Sequence, residues 1–196
     1  MEHDHPESDD SFDDTYRENT EMFGHPYQEL QDYFSSNPVK GTLLDLGCGQ
    51  GRDSLFLASL GYDVTAVDIS QVGVDQMMDA AEKKGLKIKG IAGDVLSLEL
   101  EQRFDVILFD MILHSFDKPQ QQELLRKYAG YLKENGVMVI VFPDDMEAGY
   151  FESVLNSIGY KWNLLEEITI NDVPKIEGEE ADFTFEMIVF QPIPCD

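Results

Sequence analysis

The stretch LLDLGCGQGR, residues 43–52, decides how the rest of the chain is interpreted. A short, mostly apolar run leads into glycines at Gly47, Gly49 and Gly51, and a helical pattern follows directly. This order predicts a buried strand, a tight turn and the N-terminus of a helix. Glycines allow backbone angles that residues with a Cβ atom avoid, so a ligand can lie against the main chain. The free N–H groups at the start of the helix favour the electron-rich end of that ligand.

Two kinds of ligand fit such a turn, and the acid before the glycines distinguishes them. A nicotinamide or flavin dinucleotide requires the spacing G-x-G-x-x-G, with its pyrophosphate on the helix N-terminus. Here the spacing is D-x-G-x-G-x-G, and Asp45 would repel a pyrophosphate but attract a cationic amino-acid head group. Asp68 ends the second predicted strand, residues 62–68, about 20 residues further on, where an acid accepts hydrogen bonds from ribose hydroxyls. Asp68 suits both kinds of ligand, whereas Asp45 favours the ligand with a cationic amino-acid head group.

These residues carry a resemblance to a known superfamily. Residues 45–51, Asp68 and residues 93–95 resemble the binding motifs of class I S-adenosylmethionine-dependent methyltransferases, and the resemblance extends over roughly residues 30–190. Residues 45–55, DLGCGQGRDSL, are similar to the opening of the small tellurite-resistance-type enzymes of that superfamily. The resemblance implies S-adenosylmethionine as the cofactor. The cofactor-binding residues that it implies are Asp45, Gly47, Cys48, Gly49, Gly51, Asp68, Ile69, Asp94, Val95, Asp110 and Met111.

The order of predicted elements gives the fold class. Strands alternate five times with helices, which predicts an α/β protein with a parallel sheet covered on both faces. Two final strands, at residues 160–170 and 183–190, have no helix between them and predict an antiparallel pair. The resemblance implies a Rossmann-like, doubly wound sheet of seven strands in the order 3-2-1-4-5-7-6. Ligands bind such sheets beyond the carboxyl ends of the strands. The acids expected at those ends are Asp45, Asp68, Asp94 and Asp110.

We divide the chain into three parts. Residues 1–14 are polar and acidic and predict a mobile tail. Residues 15–36 are richer in aromatic residues and predict a helical segment, and residues 37–196 form the predicted methyltransferase domain. In the superfamily the segment before the first strand commonly covers the cofactor, which implies a lid. The candidate lid residues are Tyr16, Phe23, His25 and Tyr27; alternatively, these aromatic residues only pack a helix onto the sheet.

The residues after the fourth strand, Asp110 to Phe116, are expected near the reacting centre. Asp110, His114 and Tyr16 are the catalytic candidates; a histidine titrates near neutral pH and can serve as a base. His114 can equally make only a local hydrogen bond. Arg52 can hold an anionic substrate or pair with Asp53 or another acid nearby. Some O-methyltransferases bind a divalent cation with acids after the fourth and fifth strands, but the expected Asp-Asn pair is missing, so no metal is predicted.

The composition restricts the classes of molecule that the chain is expected to bind. The chain has 39 acidic and 14 basic residues in 196 and a formal net charge of −25. Such a surface repels phosphate backbones and anionic membranes, so no direct nucleic-acid binding and no membrane binding are expected. A salt-rich host would also explain the charge. No apolar run is long enough to cross a bilayer, and the N-terminus lacks a secretory signal. Only two cysteines occur, so we expect no disulfide and a cytoplasmic location.

The predicted function is therefore methyl transfer from S-adenosylmethionine to a small-molecule acceptor by a monomer or homodimer. Three alternatives remain open at this point. The first is a protein or RNA methyltransferase working with a partner that offsets the negative charge. The second is a cofactor-binding protein without catalysis. The third is a nicotinamide-dependent dehydrogenase, which Asp45 and the glycine spacing disfavour.

Overall fold

The computed structural model describes residues 9–20, 22, 24–37, 40–159, 161–172, 175–176, 179–180 and 183–193. Among these residues, seven strands form one mixed sheet with the order β3-β2-β1-β4-β5-β7-β6. The strands are β1 (Thr42–Leu46), β2 (Asp63–Asp68), β3 (Ile88–Ala92), β4 (Phe104–Asp110), β5 (Leu132–Pro143), β6 (Lys161–Asp172) and β7 (Phe183–Ile193). The first five pair in parallel, and β7 is antiparallel to both β5 and β6. The predicted seven-stranded order is confirmed.

Helices cover both faces of this sheet. They are α1 (Asp9–Glu18), α2 (Gln28–Ser36), α3 (Arg52–Ser59), α4 (Gln71–Lys84), α5 (Lys118–Ala129) and α6 (Ala148–Ser157). Side chains alternate along a strand, so each strand contributes to two cores. Leu44, Leu46 and Phe109 pack on the face of α5 and α6. Leu43 and Leu108 pack on the other face with α2, α3 and α4. Asp45 and Asp110 follow this alternation onto the face of α3, and this places both carboxylates beside its first turn.

The first helix begins earlier than the sequence predicts. Helix α1 starts at Asp9, within the segment expected to be a mobile tail, and it packs on α4. Residues 1–8 lie outside the described residues. Helix α2 lies within residues 15–36, the segment that the sequence predicts to be helical. The acidic first half of α1 contains only one apolar residue, Phe12, and hydrogen bonds of Asp13 attach this half to the domain.

The start of β5 also differs from the prediction. The pair Asn135–Gly136 is typical of a turn and precedes the apolar run 137–142, which predicts that the fifth strand starts at Val137; β5 instead begins at Leu132 and includes this pair. The pairing of β4 with β5 shifts register between Phe104 and Val106. A Cβ atom on Gly136 would lie 2.9 Å from the carbonyl oxygen of Asp105, so the glycine permits the close approach of the two strands.

Candidate functional site

The glycine turn lies between β1 and α3, at the carboxyl edge of the sheet. The N–H groups of Gly47 and Cys48 donate to the carbonyl oxygen of Val67, at 2.8 and 3.0 Å, which fixes the turn against β2. Gly47 and Gly51 have φ angles of +77° and +83°, a region that residues with a Cβ atom rarely adopt. A Cβ atom on Gly47 would also lie 2.7 Å from the Ile112 side chain. The turn therefore needs glycine for both its backbone angles and its packing.

Asp68 holds this turn and the start of α4 together. Its Oδ2 accepts a hydrogen bond from Gly49 N–H at 2.7 Å, and its Oδ1 accepts one from Ser70 N–H at 2.9 Å. Burial raises the pKa of Asp68, while these two backbone donors lower it in part. A carboxylate oxygen can accept two hydrogen bonds. Asp68 therefore has a structural role and retains acceptor capacity for the ribose hydroxyls that the sequence predicts.

Asp45 lies beneath the turn and is almost completely buried, with 2 % of its surface exposed. Ser54 Oγ, in the first turn of α3, donates to Asp45 Oδ2 at 2.5 Å. Burial, with the charge of Asp53, raises the pKa of Asp45 to about 7. A buried carboxylate with one hydrogen bond attracts a positively charged group. This environment is suited to the cationic head group predicted for Asp45.

Arg52 joins the glycine turn to the end of β4. Its Nη2 lies 2.8 Å from Asp53 Oδ2 and 2.6 Å from Asp110 Oδ2. The Tyr27 ring covers the guanidinium at 4.4 Å. Burial lowers the pKa of Arg52, but the charges of Asp53 and Asp110 outweigh it and the net shift is upward. Of the two roles that the sequence left open for Arg52, the structure shows the ion pairs.

Asp110 is the last residue of β4, and its side chain is 4 % exposed. Burial raises its pKa well above the ordinary range; the charge of Asp53 acts in the same direction and Arg52 opposes them. The next residue, Met111, has a φ angle of +52°. Positive φ is uncommon outside glycine and costs energy, and such strain is concentrated at functional sites. The N–H of Met111 donates to the Val141 carbonyl at 3.0 Å, which holds the strained bend in place.

Helix α1 brings Tyr16 close to Asp68 and to the glycine turn. Tyr16 is 5 % exposed, and a Cβ atom on Gly73 would lie 3.0 Å from both its ring and the carbonyl oxygen of Gly49. Burial raises the pKa of Tyr16, and the charges of Asp68 and Cys48 add to this shift. Tyr16 thus lies on the Asp68 side of the turn. Helix α1 therefore packs beside the glycine turn, and its role as a lid stays a prediction.

The other predicted site residues lie around this centre. Asp94 follows β3, and its Oδ1 accepts a hydrogen bond from Leu96 N–H at 2.8 Å. Ile69 is exposed at the end of β2, and Val95 is buried. His114 lies in a short 3-10 turn, Leu113–Ser115; desolvation lowers its pKa and the charge of Asp145 raises it in part. The thiol of Cys48 is buried in the turn, and burial raises its pKa.

Comparison with known proteins identifies the domain. The family model described as a methyltransferase domain matches residues 43–136, which include the glycine turn, Asp68 and Asp110. The chain carries a methyltransferase domain. This domain is of the class I, S-adenosylmethionine-dependent kind and is related to the tellurite-resistance type. The probable S-adenosyl-L-methionine-dependent methyltransferase TehB of Haemophilus influenzae (strain 10810) is 29 % identical over 99 residues, which are 50 % of this chain and 35 % of that protein.

Two further proteins extend the likeness beyond the matched domain. Cypemycin N-terminal methyltransferase of a Streptomyces species is 32 % identical over 153 residues, covering 74 % of this chain and 60 % of that protein. The chain therefore spans between about a third and three fifths of these curated relatives. A solved structure, from work on the conversion of a disulfide bond into a thioacetal group in echinomycin biosynthesis, has a TM-score of 0.76 and 23 % identity. The aligned region covers 94 % of this chain and 93 % of the chain in that structure, and the two share the fold of the methyltransferase domain.

The structure gathers most of the predicted residues of the methyltransferase domain at one edge of the sheet. Asp45, Asp68 and Asp110 end the adjacent strands β1, β2 and β4 around the glycine turn, and Asp94 follows β3. Their binding roles and the catalytic roles of Asp110, His114 and Tyr16 remain predictions. Of the four lid candidates, Tyr16 packs beside Gly73 near the turn, the Tyr27 ring covers Arg52, His25 is exposed, and Phe23 lies outside the described residues.

Sequence reasoning did not identify two features of this site. The Arg52–Asp110 pair joins residues 58 positions apart, and no local pattern links them. Asp13, on the segment expected to be mobile, accepts hydrogen bonds from Ser70 Oγ at 2.5 Å and Val72 N–H at 3.2 Å. The described part of the chain contains no group of three or more His, Cys, Asp or Glu side chains placed to bind a metal ion. Within that same part, no helix is long and apolar enough to span a membrane.

Proposed function

We propose that this chain transfers the methyl group of S-adenosylmethionine to a small-molecule acceptor. The observation that carries the proposal is the glycine turn fixed on Asp68, with Asp45 beneath it and Asp110 at the end of the neighbouring strand. Ligands of open α/β sheets bind at this switch point, beyond the carboxyl ends of the strands. The methyltransferase domain at residues 43–136 supports the same proposal.

Each part of the site has a place in this proposal. The glycine turn, with Cys48 in it, and Asp45 hold the methionine part of the cofactor, while Asp68 accepts from the ribose hydroxyls. Asp94 accepts from the adenine amino group, and Ile69 and Val95 supply apolar surface beside it. Asp110 and Met111 lie where the transferred methyl group is expected. When bound, the cofactor supplies a methyl group already activated by a positively charged sulfur, so the protein needs chiefly to position the acceptor.

A small acceptor is favoured by the charge of the chain. The net charge of −25 opposes direct contact with nucleic acid, whose binding depends on Lys and Arg. The contacts of α1 with α4 hold the proposed lid against the domain, and this supports a small acceptor over a large one. We propose further that the enzyme acts in the cytoplasm as a monomer or homodimer.

The test is a transfer assay with methyl-labelled S-adenosylmethionine and a panel of thiols, chalcogen oxyanions, amines and phenols. We expect S-adenosylhomocysteine and a methylated product to form in equal amounts with at least one class. Asp68→Ala should abolish transfer, whereas Asp63→Ala, at the exposed start of the same strand, should preserve it. Transfer only to RNA or protein would contradict the small-molecule proposal, and cofactor binding without any transfer would indicate a non-catalytic protein.

A further inference from the structure

The cluster around Arg52 contains more negative than positive groups. Asp45, Asp53 and Asp110 are all buried on the α3 side of the sheet, and each is close enough to Arg52 or its partners to affect their pKa values. Three carboxylates therefore share one guanidinium. Buried charges without full compensation are costly, so such a cluster favours a ligand that brings positive charge or N–H donors.

Asp110 has one oxygen that the cluster does not use. Its Oδ2 pairs with Arg52 Nη2 and the Asp53 carboxylate lies close by, but its buried Oδ1 receives no hydrogen bond from a donor among the described residues. Leaving a buried charged acceptor without a donor costs more free energy than leaving a buried neutral acceptor without one. The side chain is 4 % exposed, so bulk water does not readily replace the missing donor. An incoming N–H group would satisfy this oxygen.

Asp110 lies at the carboxyl edge of the sheet, beside the proposed cofactor site. Asp110 lies at the end of β4, next to the end of β1, and the following residues fold back so that Ile112 touches Gly47. The strained Met111 and its hydrogen bond to Val141 fix that bend. Arg52 cannot offer its full charge to an anion here, because Asp53 and Asp110 balance it and the Tyr27 ring covers it.

We propose that Asp110 Oδ1 receives an N–H group of the methyl acceptor, so that the acceptor is an amine and not an oxyanion or a carboxylate. This inference rests on the proposed methyl transfer. The amine nitrogen forms a bond to the methyl carbon while the bond between that carbon and the cofactor sulfur breaks. The electron pair of the broken bond stays on the sulfur, which becomes a neutral thioether. The proton lost from nitrogen passes to Asp110 Oδ1. A carboxylate held at this position is within the class of groups that accept a proton during transfer.

The test compares acceptors on the wild-type protein and on one matched pair of variants. Butylamine, benzylamine and dimethylamine are assayed against selenite, tellurite and acetate, with S-adenosylhomocysteine formation as the readout. We expect turnover with at least one amine and none with the anions. Asp110→Asn should lower kcat for the amine at least ~100-fold, as expected for loss of a proton acceptor, and raise its KM. Asp79→Asn, an exposed change on α4, should leave both constants unchanged.

Binding of S-adenosylhomocysteine separates this proposal from the one on which it rests. If the wild-type protein does not bind it, the proposed function itself fails. If Asp110→Asn weakens its binding more than about tenfold while the fold is retained in a thermal melt, then Oδ1 serves the ammonium group of the cofactor and the amine proposal is overturned. Turnover of an oxyanion, or cofactor binding without turnover of any amine, also overturns it. The wild-type comparison stands even if Asp110→Asn fails to fold.

Discussion

At the scale of single residues, Asp45 links the stability of the protein to pH. An exposed aspartate titrates near 3.8, whereas the pKa of Asp45 is raised to about 7, first by burial and then by Asp53. A raised pKa means that the folded state binds the proton more tightly than the unfolded state. The contribution of this group is therefore fully present below about pH 4 and is lost as the pH rises towards 7. The buried carboxyl is most easily tolerated in its neutral form.

Asp45→Asn tests this coupling, because asparagine stays neutral and can still accept from Ser54. We expect the melting temperature of the variant to change less between pH 5 and pH 8 than that of the wild type, measured by calorimetry without ligand. Asp63→Asn, at the exposed start of β2, is the matched control and should follow the wild-type profile. If the melting temperatures of Asp45→Asn and of the wild type changed in parallel with pH, the raised pKa assigned to Asp45 would be contradicted.

Gly51 provides a second test at this scale. Its φ angle is +83°, and an added Cβ atom would overlap the Met77 side chain. We expect Gly51→Ala to lower the free energy of unfolding by at least about 2 kcal/mol, from backbone strain and overpacking together. Gly149→Ala in α6 is the control, since no atom lies within 4 Å of its added methyl group, and it should change stability by less than about 1 kcal/mol. Equal effects in urea denaturation would contradict this account of the turn.

At the scale of elements, helix α1 is attached through Asp13, Tyr16 and Asn19. Asp13 accepts from Ser70 and Val72 at the N-terminus of α4, Gln76 donates to the Tyr16 carbonyl at 2.9 Å, and Gln50 donates to the Asn19 carbonyl at 2.5 Å. The hydrogen bond from Ser70 lowers the pKa of Asp13. These contacts tie the helix directly to the glycine turn and to the helix that follows Asp68. We therefore expect binding of the cofactor to reduce the local opening of α1.

Hydrogen exchange measures this attachment. We expect Asp13→Ala to speed amide exchange in α1 by about tenfold without changing the melting temperature of the domain, because local opening needs few contacts to break. Asp14→Ala is the control, since Asp14 pairs only with Arg17 on the same helix among the described contacts. Adding S-adenosylhomocysteine should slow exchange in the wild-type helix. Exchange that neither Asp13→Ala nor the ligand alters would argue against a lid.

The sequence predicts elements better than it predicts the contacts between them. Apolar runs such as residues 104–109 and 137–142 predict strands, while the order of the strands in the sheet came from the resemblance to the methyltransferase superfamily. The acids at the strand ends followed from this order. The Arg52–Asp110 pair and the positive φ of Met111 could not be predicted, because they depend on the distance between separate elements. Helix α1 was predicted only from residue 15, because its first half carries a single apolar residue and is attached by polar contacts.

At the scale of the whole molecule, the charge of −25 should make stability depend on salt. Like charges on one surface repel, and added salt screens them. We expect the melting temperature to rise by roughly 5 °C, or about 2 kcal/mol, between 20 mM and 1 M KCl. An equal osmolality of sorbitol serves as the control for effects that do not depend on charge. A melting temperature that does not change with salt would show that the surface repulsion is already balanced locally.

The most direct test of the central claim is a calorimetric titration of the protein with S-adenosylhomocysteine. The glycine turn, Asp45 and Asp68 should give binding in the micromolar range. Asp68→Ala should abolish it, because the variant loses both the proposed ribose acceptor and the hydrogen bond that Gly49 N–H donates to Asp68, and Asp63→Ala should retain it. Absence of binding to the folded wild-type protein at both low and molar salt would contradict the methyltransferase account.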